Sequence, residues 1–242
     1  RFLLRMLPAE VRLQMASGPK YAVETEARVH TLSLRLPPET TSALVRACRQ
    51  RQVTVSNLLN AALLLAVVRH LLTGHTGRQR GYAFADLRPH LQPPLPAQNL
   101  GCYIAMMPYI VPVGPHSDVW TLAGAVQAEI YRLTKRGDKF IAALLSKNLV
   151  EMFIRFKAVR MGAAALSYQP VRFAERYGDI RLLDLHSFVT NNGIGPLFTG
   201  TARILFGALT CDFLAMDCDM DAATAQTVAA EVQEILETVS NS

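Results

Sequence analysis

The stretch Leu58–Val68 constrains the fold more than any other part of the chain. It is apolar on nearly every side with Asn60 as its interruption, Thr54 and Ser56 stand ahead of it as candidate N-caps, and Leu71 and Leu72 continue it toward a stop at Gly74. A helix with one apolar stripe can lie on a surface, whereas a helix that is apolar all round has to be covered on all sides. The run falls short of the roughly 20 apolar residues a membrane span needs. It is therefore expected between the layers of a globular core, which a chain of 242 residues can build without disulfides or metals.

The flanking sequence supplies those layers. Ala27–Leu36 alternates, with Val29, Thr31, Ser33 and Arg35 on one side and Leu32, Leu34 and Leu36 on the other, which is strand periodicity. Pro37-Pro38 ends it, and Glu39–Arg51 then carries Leu44, Val45 and Cys48 at helical spacing with basic residues at the end that suits the dipole. Further on, strands are expected over Arg80–Ala85 and Gly101–Val113, a surface loop over Pro93–Pro96, a helix over Trp120–Thr134, and one or two helices after it. Leu182–Asn191 reads as a strand, Asn192–Gly200 as a turn, and Thr201–Leu209 with Phe213–Asp219 as a hairpin turning near Thr210-Cys211-Asp212. Asp221 caps a terminal helix with Ala225, Val228, Ala229, Val232, Leu236 and Val239 on one stripe, and Pro8–Ser17 reads as a short helix. Strands alternating with helices give an α/β class: a layered mixed β-sheet with packed helices.

The net charge of +6 is concentrated. Arg132, Lys135, Arg136, Lys139, Lys147, Arg155, Lys157 and Arg160 face only Asp138 and Glu151 over the same stretch, with Phe140, Ile141, Leu144, Leu145 and Phe153 among the apolar residues between them. Such a surface attracts phosphates, acidic proteins or a lipid headgroup layer; the alternative is a core-packed helix whose charges solvate its outer face. Cys48, Cys102, Cys211 and Cys218 show no CxxC pair and no ligand spacing, so reduced buried thiols and a cytoplasmic location are expected. Asp217, Asp219 and Asp221 alternate, but a solvated strand face followed by a helix cap accounts for them and no metal is expected. Glycine-rich phosphate loops, a GxSxG elbow and the basic-aromatic interleaving of nucleic-acid binders are all missing from the sequence.

Four segments, in order, carry a family resemblance. They are the strand-helix-helix run Leu32–Leu72, the sequence Asp86-Leu87-Arg88-Pro89, the sequence Asn99-Leu100-Gly101-Cys102-Tyr103-Ile104-Ala105-Met106-Met107-Pro108, and the sequence Ser187-Phe188-Val189-Thr190-Asn191-Asn192-Gly193. The third looks like the hydrophobic-Gly-x-x-hydrophobic strand, followed by proline, of condensation domains. The fourth is similar to the Val-Ser/Thr-Asn strand that precedes their final hairpin and helix. Together they resemble the C-terminal lobe of the superfamily of chloramphenicol acetyltransferase, condensation domains and alcohol O-acyltransferases.

The resemblance implies a two-lobe acyltransferase with a tunnel between its lobes. An acyl group would move from a thioester of coenzyme A or of the phosphopantetheine arm of an acyl carrier protein to an alcohol or amine. The base of that family is the second histidine of His-His-x-x-x-Asp-Gly in the N-terminal lobe. An attacking hydroxyl must lose its proton, and an imidazole is the side chain that titrates in the right range. None of His30, His70, His75, His90, His116 and His186 lies in such a motif, so no catalytic residue is expected here, and the chain, which opens on Arg1-Phe2-Leu3 without an initiator methionine, is read as residues 1–242 of a C-terminal lobe whose N-terminal partner is absent. His186 is singled out because its strand is directed toward the lobe interface. His70 reads as a solvated cation at a helix end, and His75, His90 and His116 as loop residues.

Donor contacts are assigned to Ser187, Asn191, Asn192, Gly193 and Tyr103, and to the cations Lys135, Arg136 and Lys139. Structural roles go to Asp86, Arg88, Gly101 and Pro108. Asn191 and Asn192 fit either as amide donors to a thioester oxygen or pantetheine amide, or as turn residues. Asp86 and Arg88 fit a loop tie made by charge-assisted hydrogen bonds. The apolar residues of Phe140–Met161 suggest a lipid or secondary-metabolite acceptor. The alternatives are a noncatalytic module of the same fold that binds a carrier protein, and a peripheral membrane protein.

Overall fold

The computed structural model describes residues 28–74, 76–96, 99–155, 161–170, 172–189 and 195–241. The helix expected over Pro8–Ser17, together with Asn191, Asn192 and Gly193, lies outside them. Along the described chain run β1 (Val29–Leu36), α1 (Pro38–Gln50), α2 (Val55–His70), β2 (Gly77–Asp86), β3 (Ile104–Val113), α3 (Val119–Lys135), α4 (Asp138–Arg155), β4 (Ala164–Tyr168), β5 (Arg176–Tyr177), β6 (Ile180–Arg181), β7 (Phe198–Leu205), β8 (Ala208–Met216) and α5 (Ala222–Ser240). A mixed six-stranded sheet has the order β1-β8-β7-β4-β2-β3, and β5 and β6 pair apart from it. β2 with β4 and β4 with β7 are parallel and the other pairs antiparallel. Each parallel step requires a long crossover. The first runs through β3, α3 and α4, the second through residues 169–197.

Helix α2 is buried from Asn57 to Val68, packed against α3, α5 and β4. Its start is fixed by Thr54, whose side chain accepts from the Asn57 N–H, and it ends before Gly74, whose positive φ belongs to the turn that follows. Asn60, the polar residue inside the apolar run, donates to the Ser56 carbonyl (2.9 Å) and accepts from the Tyr109 hydroxyl (3.2 Å). Both ends of its amide are thereby satisfied, which is the condition for burying it. Tyr109 in turn requires Gly81, its cross-strand partner: a Cβ there would stand 2.2 Å from the Tyr109 hydroxyl oxygen.

Alternation sorts the sheet into two faces. Leu34, Leu36, Leu209, Cys211, Phe213, Phe198 and Ala202 belong to the core shared with the helices. The intervening positions Ser33, Asp212, Thr201 and Ser167 form a cross-strand row on the other face, since Ser33 pairs with Asp212, Asp212 with Thr201 and Thr201 with Ser167. At the β3 edge, Pro108 and Pro112 are four residues apart, which puts both missing N–H groups on the side away from β2, where a free edge would otherwise invite pairing.

Several expectations are corrected. The hairpin turns at Phe206-Gly207, both at positive φ, as a two-residue loop between paired Leu205 and Ala208 requires. Thr210, Cys211 and Asp212 are therefore inside β8. Strand β3 starts at Ile104, after the Gly101 region. β4 and the β5–β6 hairpin had no sequence signal distinct from loop, because they are five and two residues long. Residues 182–189 form no strand. Of the four thiols, Cys48 and Cys211 are buried and pushed up to about 11 and about 12 by burial, while Cys102 is exposed.

Gly81→Ala is expected to destabilise the fold by about 2–3 kcal/mol in urea denaturation, as overpacking does. The same substitution made in a Tyr109→Leu background should cost measurably less.

Candidate functional site

The row of polar residues on the open face is where residues 182–189 lie. This extended strap makes no backbone ladder. Its carbonyls face side chains of β7 in a matched two-residue step: Arg203 Nη1 donates to Leu185 O and Thr201 Oγ1 to Ser187 O, while Thr199 Oγ1 is shared between Leu214 O (3.2 Å) and Val189 O (3.4 Å). The chain has strand periodicity because it runs antiparallel above β7, one side-chain length out of the sheet plane. That explains why a strand was expected over Leu182–Asn191 and why none forms over the described residues 182–189.

Asp212 fastens the strap from β8. Its carboxylate accepts from Ser33 Oγ (2.7 Å), His186 Nδ1 (2.7 Å), the Ser187 N–H (2.8 Å) and Arg203 Nη2 (2.8 Å). The Asp212 and Arg203 side chains are both 0% exposed. Burial alone would raise the Asp212 carboxyl, but the hydrogen bonds from His186, Ser187, Ser33 and Arg203 outweigh it and hold it below the ordinary carboxylate value. At the strap's beginning, Arg35 pairs with Asp184 (2.7 Å), whose other oxygen accepts from the Leu185 N–H. His186 is half-exposed, with Nε2 3.7 Å from Asp184 Oδ2. An imidazole whose Nδ1–H is directed at a buried carboxylate keeps Nε2 unprotonated when neutral.

Of the residues singled out from sequence, His186 and Ser187 lie in this strap, Asn191, Asn192 and Gly193 fall outside the described residues, and the remaining ones lie elsewhere. Arg88 bridges the loop after β2: its N–H donates to Asp86 Oδ1 (2.9 Å), its Nη2 reaches toward Gly101 O (3.5 Å), and its guanidinium lies over the Tyr103 ring, 4.9 Å from the centroid. A Cβ at Gly101 would come within 2.8 Å of that same ring. The charge pair thus holds the loop, with Tyr103 beneath Arg88.

The basic segment is less open than its composition implied. Arg132 is gripped by Glu129 (2.5 and 2.8 Å), one turn upstream of it and just outside the stretch first counted, and Arg136 faces the buried Asp138 (3.5 Å). Lys147 is near Glu151 (4.0 Å), and Lys135 stacks over Tyr131 (4.7 Å). Lys139 is itself buried, its Nζ donating to His90 Nε2 at 2.6 Å. His70, taken as a solvated cation, instead contacts Glu231 Oε2 (3.2 Å) beside Arg69. Asp217 is exposed beyond the end of β8, whereas Asp221 caps α5 by accepting from the Thr224 N–H (2.8 Å).

Sequence reasoning missed Asp212, Arg203, Thr201 and Thr199. The signal was available: an arginine and an aspartate inside apolar β-runs are rarely buried unless paired. Placing the turn at Asp212 hid it.

The family model for the C-terminus of phthiocerol/phthiodiolone dimycocerosyl transferase matches residues 25–138. Polyketide synthase associated protein 5 from Mycobacterium tuberculosis superposes with a TM-score of 0.67 at 14% identity, over 90% of this chain and 54% of that one. Trichothecene 15-O-acetyltransferase from Fusarium sporotrichioides gives a TM-score of 0.69 at 14% identity, over 98% and 52%. The epimerization domain from the third module of tyrocidine synthetase B gives 0.61 at 14% identity, over 98% and 56%. At these identities the likeness is one of fold, and the chain spans about half the length of each of these structures. No curated protein sequence matches it.

Asp212→Asn is expected to cost about 3 kcal/mol or more in urea denaturation at pH 7, because it strands the buried Arg203 charge. The folded Asp212 value is depressed, so its contribution is complete above the unfolded carboxylate value of about 4 and is lost as pH falls through the lower folded one. The gap between wild type and variant should therefore narrow only in that acidic range. In the same assay Lys139→Glu, which puts a buried carboxylate where the ammonium meets His90, should cost about 2 kcal/mol, and Lys135→Glu less than about 0.5.

Proposed function

We propose that this chain, which has the fold of the C-terminal lobe of the CoA-dependent acyltransferase superfamily, is the donor-binding half of an enzyme that moves an acyl group from a thioester of coenzyme A or a carrier protein to an alcohol or amine. The carrying observation is the superposition of nearly all of this chain on half of larger acyltransferase and condensation-type proteins. A second feature supports it. Residues 172–181 are exposed throughout, and within them β5 and β6 form a two-stranded arm around Gly178. Isolated hairpins of that size are marginal in water, and this one presents Phe173, Tyr177 and Ile180, with Leu183 and Val189 beyond it. An arm whose apolar side chains stay exposed on its own lobe is suited to gripping another.

In this reading the acceptor's hydroxyl or amine proton passes to a histidine of the N-terminal lobe as its oxygen or nitrogen attacks the thioester carbonyl. The carbon–sulfur bond then breaks and the thiol leaves with a proton. This chain contributes position and surface. The strap carries Ser187 to the sheet's open face, Lys135 and Arg136 give the donor's phosphates or an acidic carrier a partner, and exposed Phe140, Ile141 and Leu144 on α4 favour an apolar acceptor.

The isolated chain is expected to show no acyl transfer from acetyl-CoA or longer acyl-CoAs to a panel of alcohols and amines. Joined to an N-terminal lobe bearing His-His-x-x-x-Asp-Gly, it should show transfer that is lost when the second histidine becomes alanine. Turnover by the isolated chain that disappears in His186→Ala would overturn this reading. The isolated chain should also bind an apolar dye or self-associate at micromolar concentration, and joining the second lobe should suppress both.

A further inference from the structure

Helix α4 turns an apolar face outward. Phe140 and Ile141 precede Leu144 by four and three residues, so the three side chains share one side of the helix. All three are exposed, Leu144 at 82%, while Asp138, Lys139 and Ala142 are buried. Apolar residues scattered singly on a surface need no explanation, but a contiguous group does. The turn joining α3 to α4 lies against this group: Gly137 O accepts from the Phe140 N–H, and a Cβ on Gly137 would stand 3.6 Å from the Phe140 ring. That turn brings Lys135 and Arg136, and Lys135 reaches back over the exposed ring of Tyr131. Lys147, three residues beyond Leu144, is also exposed.

The charges of this corner do not cancel. Residues 129–151 hold five cations and three acids. Each acid is already matched by a base, Glu129 by Arg132, Asp138 by Arg136 and Glu151 by Lys147. Among the described residues no acid pairs with Lys135, and Lys139 meets a histidine. What faces outward is therefore an apolar tip with an unmatched positive charge beside it.

We propose that this corner, the outer face of α4 with the turn before it, docks on an anionic lipid surface. Phe140, Ile141 and Leu144 enter the boundary of the acyl chains, and Lys135 and Lys147 meet the headgroup phosphates. A protruding tip separates this occupant from a folded one: a protein partner must offer a pocket of the tip's shape, whereas fluid lipid closes around any apolar shape. Lysine stems lie along apolar surface while their ammonium groups reach the headgroups, and the exposed Tyr131 ring, apolar with a polar end, suits the same level. Among the described residues no single helix is long and apolar enough to cross a membrane. The helix lies on the surface, and its hold combines buried apolar area with attraction to anionic lipid. The proposal does not depend on the acyl-transfer reading, because docking on lipid requires neither a thioester donor nor a second lobe.

The test is co-sedimentation of the 242-residue chain with vesicles of phosphatidylcholine alone and of phosphatidylcholine mixed with phosphatidylglycerol. Binding is expected to the mixed vesicles, and it should weaken as salt rises. Leu144→Glu should lower the partition at least about tenfold, the loss of one buried leucine. Lys135→Gln should lower it about fivefold, the share of one lysine near an anionic surface. Both side chains are exposed, so thermal melting should be unchanged in either variant. Ile180→Glu, on the exposed β5–β6 arm, is the control and should bind as the wild type does. Equal binding to the two kinds of vesicle overturns the proposal, as does a partition that Leu144→Glu leaves unchanged or that Ile180→Glu lowers as much. Loss of binding once an N-terminal lobe is joined also overturns it, since this face would then be the seat of that lobe. The two readings fail separately: a joined protein that sediments with mixed vesicles but shows no turnover removes the acyl-transfer reading only, and turnover without sedimentation removes this one only.

Discussion

The ion pair between Arg203 and Asp212 is the interaction on which the open face depends. Two opposite charges with no solvent contact are costly to bury, and the cost is offset only when nearly every lone pair and N–H finds a partner. Here they do: Arg203 reaches Leu185 O, Thr201, Gln169 and Asp212, and Asp212 receives four donors. Two of those partners are backbone groups of the strap. The pair therefore cannot be satisfied unless the strap is in place, and the strap has no backbone ladder to hold it without the pair. The coupling gives a segment without secondary structure a single position.

The opposite face of the same strands is governed by a different constraint. Leu34, Cys211 and Phe213 pack into the core beneath α1, α2 and α5, and α2 is buried along most of its length. Small residues make room where the layers come closest. Gly81 admits the Tyr109 ring, and Gly200 admits Phe213, whose ring atoms would stand 2.9 Å from a Cβ there. Dispersion and burial set that side, and directed hydrogen bonds set the other. Since both readings alternate along β7 and β8, one change of register would exchange them and bury the charges against leucine.

That alternation was legible in β1, where Leu32, Leu34 and Leu36 declare their side, and so were the caps at Thr54 and Asp221, whose side chains each accept from a backbone N–H in the first turn; the cap at Asp118 was not read. The α/β class and the order of its main elements followed from such local rules. The strap was not legible, because its extended shape is encoded locally while its partners on β7 and β8 are 10 to 26 residues away, with Arg35 149 residues from Asp184, and are side chains instead of a neighbouring ladder. The turn at Phe206-Gly207 was hidden for a related reason. A phenylalanine at positive φ is uncommon, and only the strand pairing on both sides forces it. Lys139 reads as one cation among eight, yet it is buried against His90, and nothing in the sequence of α4 reveals a histidine brought from the loop after β2.

The charge distribution in space then differs from the charge distribution in sequence, and this changes where function should be sought. Among the described cations of this region Arg132 and Arg136 are paired and Lys139 is buried, so their long-range field is weaker than a count of Lys and Arg suggests. The open face carries fewer formal charges, but they are desolvated and fixed, and in a low-dielectric setting fixed dipoles and charges act more strongly than a larger number of screened ones. A site that must present backbone groups in one geometry is better built from such a network than from a loop with high charge. The strap over Asp212 meets that requirement: the carbonyls of Leu185 and Ser187 and the Ser187 N–H are held by side chains of β7 and β8, which fixes the backbone between them in one geometry.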